Sequence, residues 1–405
     1  TDMMISRKEK GAMMKASGLI VEYNPFHNGH KYHFERACEI DRESIKIAVM
    51  SGDFVQRGEP AVINRWKRAE MALKNGIDMV VELPVFYSCQ SAEIFAIGSV
   101  GILNELKCSN IIFGSEKSDI DNLKKIAQIE ETEEFKNIIK ENLSNGDSYP
   151  TAHSKTLREI EGKDISLASN DILGVEYLKA IKYWKSSIVP ILIKREKTGY
   201  YEENICESFA SATAIRKFLK ENTDISSLIP EESFRILREE KEKNRLAYLE
   251  DFYPILRYEI IRNKNMLFNI QDMEKGYENR LYEMALKNYE FKDFYREITS
   301  KRFTQGRTQR ILIHILTGIT QKLTQEIKKE IPYIRVLGFN DRGREYLSYL
   351  KKEENSKIIT SMKNIKDKFS SDVRELIEFN ERASLIYKMI NYYEDSKIPL
   401  MIKEK

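Results

Sequence analysis

Three of the chain's five histidines fall within seven positions, at His27, His30 and His33. They follow an apolar run, Ser17 to Tyr23 (SGLIVEY), through the segment Asn24-Pro25-Phe26-His27-Asn28-Gly29-His30. A strand that passes through a tight loop into a helix makes an anion site, because the first helical N–H groups lack intrahelical partners and point outward. Gly29 carries no side chain, so a phosphate can approach the backbone closely. His27 and His30, three apart at the helix entrance, can present two imidazole N–H donors to one ligand. This is chemistry for a nucleoside triphosphate whose α-phosphorus gains negative charge as it is attacked. By ligand type the three histidines could instead hold zinc, or serve only as loop hydrogen-bonders. No further Cys or carboxylate stands at a typical structural spacing, so no metal ligand set is assigned. His33 reads as a supporting residue.

The elements that must position these residues alternate along the first half. After the first strand come a helix from about His30 to Ile40 and a strand at Ile45 to Met50. A helix at Asn64 to Lys74 and a strand at Asp78 to Leu83 follow. Next are a helix at Ser91 to Leu106 and a strand at Asn110 to Phe113. A strand at Ile188 to Ile193 and a helix at Ser211 to Lys220 close the pattern. Near-continuous apolar strands in regular alternation with helices predict an α/β fold, a doubly wound parallel sheet covered on both faces. Asp119 to Asp164 is charged and helical, and is expected to insert between strands. Beyond about Glu221 long charged segments with apolar residues at helical spacing dominate: Glu231 to Glu250, Gln271 to Asn288, Arg310 to Lys329 and Asp372 to Tyr393. Tyr333 to Leu337 is the best strand signal there. The expected division is a tail over 1–13, an ATP-binding domain over 14–221 and a mostly helical domain over 222–405.

The composition limits what such a chain can be. Its 405 residues are 41% hydrophobic and 32% charged, as in a water-soluble globular protein of two domains. Lys and Arg total 66 against 63 Asp and Glu, a net charge of +3, so any basic site must be local. No apolar run approaches the ~18–20 residues that span a bilayer, which excludes a membrane partner of that kind. Residues 1–13 mix charge and methionine without an apolar stretch, unlike a secretory signal, and Met13 or Met14 could be the true start. Cys38, Cys89, Cys108 and Cys206 lie far apart, so a reducing cytoplasm is expected rather than a disulfide framework.

His27-Asn28-Gly29-His30 after a first strand resembles the HxGH motif of the nucleotidyltransferase superfamily, whose Rossmann-like sheets bind ATP at the carboxyl ends of their strands. That superfamily's second signature, close to I-S-S-T-x-I-R, is approximated by Ala210-Ser211-Ala212-Thr213-Ala214-Ile215-Arg216. Taken alone, this is an ordinary helix start followed by a surface Arg. Paired with the histidines, Ser211 and Thr213 would bond phosphate, and Arg216 would meet the β- and γ-oxygens. Val21 to His33 (VEYNPFHNGHKYH), Met50 to Ala61 (MSGDFVQRGEPA), Val81 to Pro84 (VELP), Phe113 to Glu116 (FGSE) and Lys301 to Arg310 (KRFTQGRTQR) look like the tRNA(Met) cytidine acetate ligase family. The resemblance runs from about Met14 to near the end of the chain.

That resemblance implies an ATP-dependent ligase. It would activate acetate as acetyl-adenylate and acetylate the wobble cytidine of elongator tRNA(Met), giving N-acetylcytidine. It implies His27, His30 and Arg216 as catalytic residues. ATP contacts would span Ile20, Val21, Glu22, Tyr23, Asn24, Pro25, Phe26, His27, Asn28, Gly29, His30, Lys31, Tyr32 and His33, then Gly114, Asn170, Arg195, Ser211 and Thr213. Magnesium would arrive with the triphosphate. The chain departs from the pattern at Asp171, where a second Asn is expected, and at Thr198 to Glu203 (TGYYEE), which lacks a His-Asp. Asp53, Gln56, Arg57 and Glu59 stand in a loop expected to face the ATP site, either shaping the acceptor pocket or, for Arg57 and Glu59, pairing with each other.

The strongest nucleic-acid signal lies between Arg296 and Arg344, where eleven Lys and Arg stand against four acids, +7 in a chain of +3. Phe303 and Tyr333 lie among these cations as stacking surfaces for unpaired bases. The resemblance implies tRNA phosphates held by Lys301, Arg302, Arg307 and Arg310. Two alternatives remain at this level. One is a nucleotidyltransferase or ligase for a small metabolite. The other is an RNA-binding protein that keeps an ATP fold without catalysis.

Overall fold

The computed structural model describes residues 14–116, 119–162, 167–194, 209–352, 356–363 and 365–403. In chain order the first strands are β1 (Ala16–Val21), β2 (Ile45–Ser51), β3 (Phe54–Val55), β4 (Glu59–Pro60), β5 (Met79–Leu83), β6 (Asn110–Ser115) and β7 (Val189–Lys194). Five of them form a parallel sheet in the order β5-β2-β1-β6-β7, while β3 and β4 make a separate antiparallel hairpin. The crossovers leave β1 and β6 toward opposite edges, which puts the topological switch point between their carboxyl ends.

Alternate residues feed two cores, one on each face of the sheet. Leu19, Ala48, Met50, Val80 and Ile112 enter one apolar cluster; Ile47, Val49, Met79, Val81 and Ile111 enter the other. This is the period-two pattern of a strand buried on both sides. Helix α1 (Asn28–Ile40) follows β1, and α2 (Arg65–Lys74) precedes β5. Helices Ile120–Glu130, Glu133–Ser144 and Tyr149–Glu161 stand between β6 and β7, as the charged segment Asp119 to Asp164 predicts, and a fourth, Ser169–Tyr183, follows them.

The doubly wound sheet and the helical character beyond residue 221 are as expected, but residue 221 does not bound the sheet. Strand β8 (Ile334–Phe339) pairs antiparallel with β5, and β9 (Ile358–Ile359) and β10 (Leu400–Met401) pair with β8. Ile229, Ile236, Leu281 and Ile311 share a cluster with Leu19 and Met50, so the later helices cover one face of the sheet. The segment of helical spacing over Arg310 to Lys329 falls in two helices, Gln305–Thr317 and Gln321–Ile327, parted where Gly318 takes φ +81°. The expected tail, 1–13, lies outside the described residues.

Buried charges fasten the returning segment. Arg65 is fully buried, with Nη1 2.7 Å from Glu82 Oε1 and Nη2 3.3 Å from Glu381 and 3.4 Å from Asp395. Asp395 also accepts from the Trp66 indole at 2.6 Å, and Arg335 pairs with Glu381. Among the described residues no helix is long and apolar enough to cross a membrane.

Candidate active site

His27 is the N-cap of α1, and the helix opens with a reciprocal pair of imidazole caps. The Gly29 N–H donates to His27 Nδ1 at 3.0 Å, and the His27 N–H donates to His30 Nδ1 at 3.3 Å. Each Nδ1 is therefore an acceptor, which in a neutral ring places the proton on Nε2. The rings stack with their centroids 3.7 Å apart and their planes 26° from parallel. Gly29 is required here because a Cβ would lie 2.9 Å from His27 Cε1. Tyr23 holds φ +49° with its ring buried against Phe26 and edge-on to His30. Left-handed backbone at a bulky residue is a conformation that functional loops hold in place.

The helix entrance differs from expectation in one respect. Its first amides are not open: Asn28 N–H donates to Leu228 O at 3.1 Å, Gly29 N–H to His27, and His30 and Lys31 N–H to His27 O at 2.9 and 3.1 Å. Donation to an anion at this point therefore falls to the imidazoles, with the helix dipole behind them.

Arg216 comes to the same loop from a distant part of the chain. Ser211 caps helix Ala212–Lys220 by accepting from Ala214 N–H at 3.1 Å. One turn on, Arg216 Nη1 donates to Asn24 O at 3.0 Å and Nη2 to Glu59 Oε2 at 2.6 Å and Thr213 Oγ1 at 3.4 Å. Glu59 thus pairs with Arg216 rather than with Arg57. Glu22, at the end of β1, accepts from Gln56 N–H at 2.8 Å. Burial pushes its carboxyl up against the opposing pull of that bond and of Arg216 and Arg57. Asp53 does not face the site. It is buried, taking the Arg65 N–H at 2.8 Å and the Tyr393 hydroxyl at 3.0 Å.

Across the switch point, Gly114 lies within β6, and Asn170, near the start of its helix, donates to Glu116 Oε1 at 2.5 Å. Asp171, the departure from the expected Asn, is fully buried and accepts from Ser115 Oγ at 2.6 Å and Glu116 N–H at 3.2 Å. Two donors facing one oxygen suit a carboxylate, which only accepts. Arg195 and Thr198 to Glu203 lie outside the described residues. Lys31 points outward toward Glu35, 4.0 Å away.

Arg68 was not marked by the sequence reading. Fully buried in α2, it donates to the carbonyls of Ile63 (3.1 Å), Glu22 (2.7 Å), Ser51 (3.0 Å) and Gly52, joining the carboxyl ends of β1 and β2. The available signal was two arginines, Arg65 and Arg68, on the apolar face of one short helix.

Of the four basic residues expected on RNA, Lys301 is exposed. Arg302 and Arg307 both pair with Glu274, and Arg310 lies 3.7 Å from Asp272. Arg302 is exposed, and a pair of that kind is worth at most ~1 kcal/mol and can yield to phosphate, whereas Arg307 and Arg310 are partly buried against their acids. Tyr333 is 1% exposed and offers no stacking surface, a correction to the expectation. Phe303 has one face on Tyr277, stacked at 3.7 Å.

Paired imidazoles at the switch point of such a sheet, with an arginine beside them, are an arrangement suited to nucleotidyl transfer. The family model described as HIGH Nucleotidyl Transferase matches residues 14–398. The chain is 49% identical to the tRNA(Met) cytidine acetate ligase of Fusobacterium nucleatum, over 96% of this chain and 98% of that protein. It is 44% identical to the protein of the same name from Caldicellulosiruptor saccharolyticus, over 93% and 94%. The crystal structure of Thermotoga maritima TmcAL bound with alpha-thio ATP superposes with a TM-score of 0.87 at 32% identity, covering 96% of this chain and all of that one. The chain belongs to the tRNA(Met) cytidine acetate ligase family of HIGH nucleotidyl transferases.

Proposed function

We infer that this protein is an ATP-dependent ligase that joins acetate to the exocyclic amine of a cytidine in tRNA(Met). The observation that carries the reading is the stacked His27–His30 pair, whose Nδ1 atoms accept backbone N–H groups and so leave Nε2 as the protonated nitrogen. We assign the acyl donor as acetate, the acceptor as the wobble cytidine of elongator tRNA(Met), and the compartment as cytoplasm.

In the first step an acetate oxygen attacks the α-phosphorus. A C–O–P linkage forms, the bond to the β-phosphate breaks, and pyrophosphate leaves. Acetate is already ionised at neutral pH, so no base is needed. His27 and His30 would donate to the oxygens that gain charge, and Arg216 would hold the departing pyrophosphate, with Ser211 and Thr213 at the helix start beside it. In the second step the cytidine amine attacks the acetyl carbon, AMP leaves, and the amine gives up a proton. Gly114 and Asn170 would lie against the adenosine at the carboxyl end of β6. Magnesium fits as an ion carried by the triphosphate. Among the described residues no cluster of three His, Cys, Asp or Glu forms a cage for it, and Glu59 is already engaged with Arg216. Lys301, Arg302, Arg307 and Arg310 are the proposed phosphate contacts of the tRNA.

Replacing His30 tests the reading. His30→Ala is expected to slow acetate-dependent ATP–pyrophosphate exchange by ~10²–10³-fold, the usual loss of one transition-state donor. Its affinity for tRNA(Met) should stay within about 3-fold, since tRNA docking is assigned elsewhere. Exchange driven by another carboxylic acid and not by acetate would overturn the substrate assignment. Wild-type exchange in the variant would overturn the role of the imidazole.

A further inference from the structure

The β3–β4 hairpin lies between the two regions that the proposed reaction must bring together. On one side Glu59 Oε2 accepts from Arg216 Nη2 at 2.6 Å, with the two side chains 26% and 14% exposed. On the other, Glu59 Oε1 accepts from Gln309 Nε2 at 3.4 Å. Gln309 belongs to helix Gln305–Thr317, which also carries Arg307 and Arg310. The hairpin is pressed onto that helix: Gly58 holds φ +79°, and a Cβ there would stand 2.2 Å from Arg310 N. Arg216 is thus fixed at three points, on Glu59, Asn24 O and Thr213 Oγ1, and part of its fork of five N–H donors is left to meet an anion.

We propose that Glu59 is a positioning residue. Its carboxylate sets the direction in which Arg216 meets the pyrophosphate end of ATP, and its bond to Gln309 ties that direction to the helix offered to tRNA. The proposal rests on the reading that Arg216 contacts phosphate. Two opposing effects follow from a carboxylate beside a phosphate site. It repels the triphosphate, which weakens ground-state binding. It also removes the rotational freedom of a long side chain, which helps where the leaving group must be held in one geometry. A residue kept for positioning therefore acts on kcat rather than on KM.

Glu59→Gln removes the charge and keeps the shape. In acetate-dependent ATP–pyrophosphate exchange its kcat should fall about 10-fold or more while the KM for ATP stays level or drops. Glu59→Asp, with the charge on a shorter stem, should fall between that variant and wild type. Arg216→Lys is measured alongside and should lose exchange. Wild-type exchange in Arg216→Lys overturns the underlying reading of Arg216. Impaired Arg216→Lys with wild-type kcat in Glu59→Gln overturns the positioning role alone, as does a raised KM with kcat unchanged. If Glu59→Gln does not fold, Glu59→Asp decides: reduced kcat without a raised KM supports the proposal, and wild-type constants overturn it.

Discussion

Asp395 and His30 lie at opposite ends of the chain, and both depend on a nitrogen donor held in place by its surroundings. Burial pushes the Asp395 carboxyl up, but Arg65, the Trp66 indole N–H and Arg335 outweigh it and hold the group below its ordinary value of 3.8. A depressed acid contributes stability that is present above its unfolded pKa and lost as pH falls through the folded value. Asp395→Asn should therefore unfold more easily at pH 7, by about 1–3 kcal/mol in urea titrations, with the gap to wild type closing as pH drops below 4. A gap that stayed constant with pH would sink this account. At this scale the histidine motif was legible, because four adjacent residues after one apolar run carry its geometry. The Glu59–Arg216 pair was not legible: it joins residues 157 positions apart, and no local periodicity marks either.

Between elements, the closest packing in the site region is that of the hairpin on helix Gln305–Thr317. Gly58→Ala puts a methyl group into the backbone of Gln309 and Arg310 while forcing alanine to φ +79°. The combined cost should be at least about 2 kcal/mol by chemical denaturation. An unchanged unfolding midpoint would mean that hairpin and helix are not in contact in solution. Most elements could be read from sequence because apolar period and punctuation agree, as in β2 and α2. In the stretch after Arg310 the apolar spacing runs on past Gly318, so the break made there by the left-handed backbone was not legible. The cations of Lys301 to Arg310 were legible as charge, but their partners Asp272 and Glu274 were not, since those acids stand ~30 residues earlier in a segment with its own helical pattern.

For the molecule as a whole, the charge cluster around Arg65 connects the first sheet to the last helix, Ser371–Lys388, and to the segment beyond it. Arg65→Leu would leave the buried Glu82 with only Arg335, 4.0 Å away, as a counter-charge, at a cost of about 3–5 kcal/mol in urea unfolding. A loss under ~1 kcal/mol would show that the cluster is solvated and incidental. The alternating first half made the parallel sheet legible. The return of β8 to its edge was not, because an antiparallel partner from far along the chain leaves no mark in the alternation itself.

Because β8 closes the open side of β5 from so late in the chain, synthesis on the ribosome has a definite consequence. The nucleotide fold emerges first with an unpaired strand and an acid, Glu82, that awaits later neighbours. During that interval the edge of β5 presents unpaired N–H and C=O groups on which another strand could add.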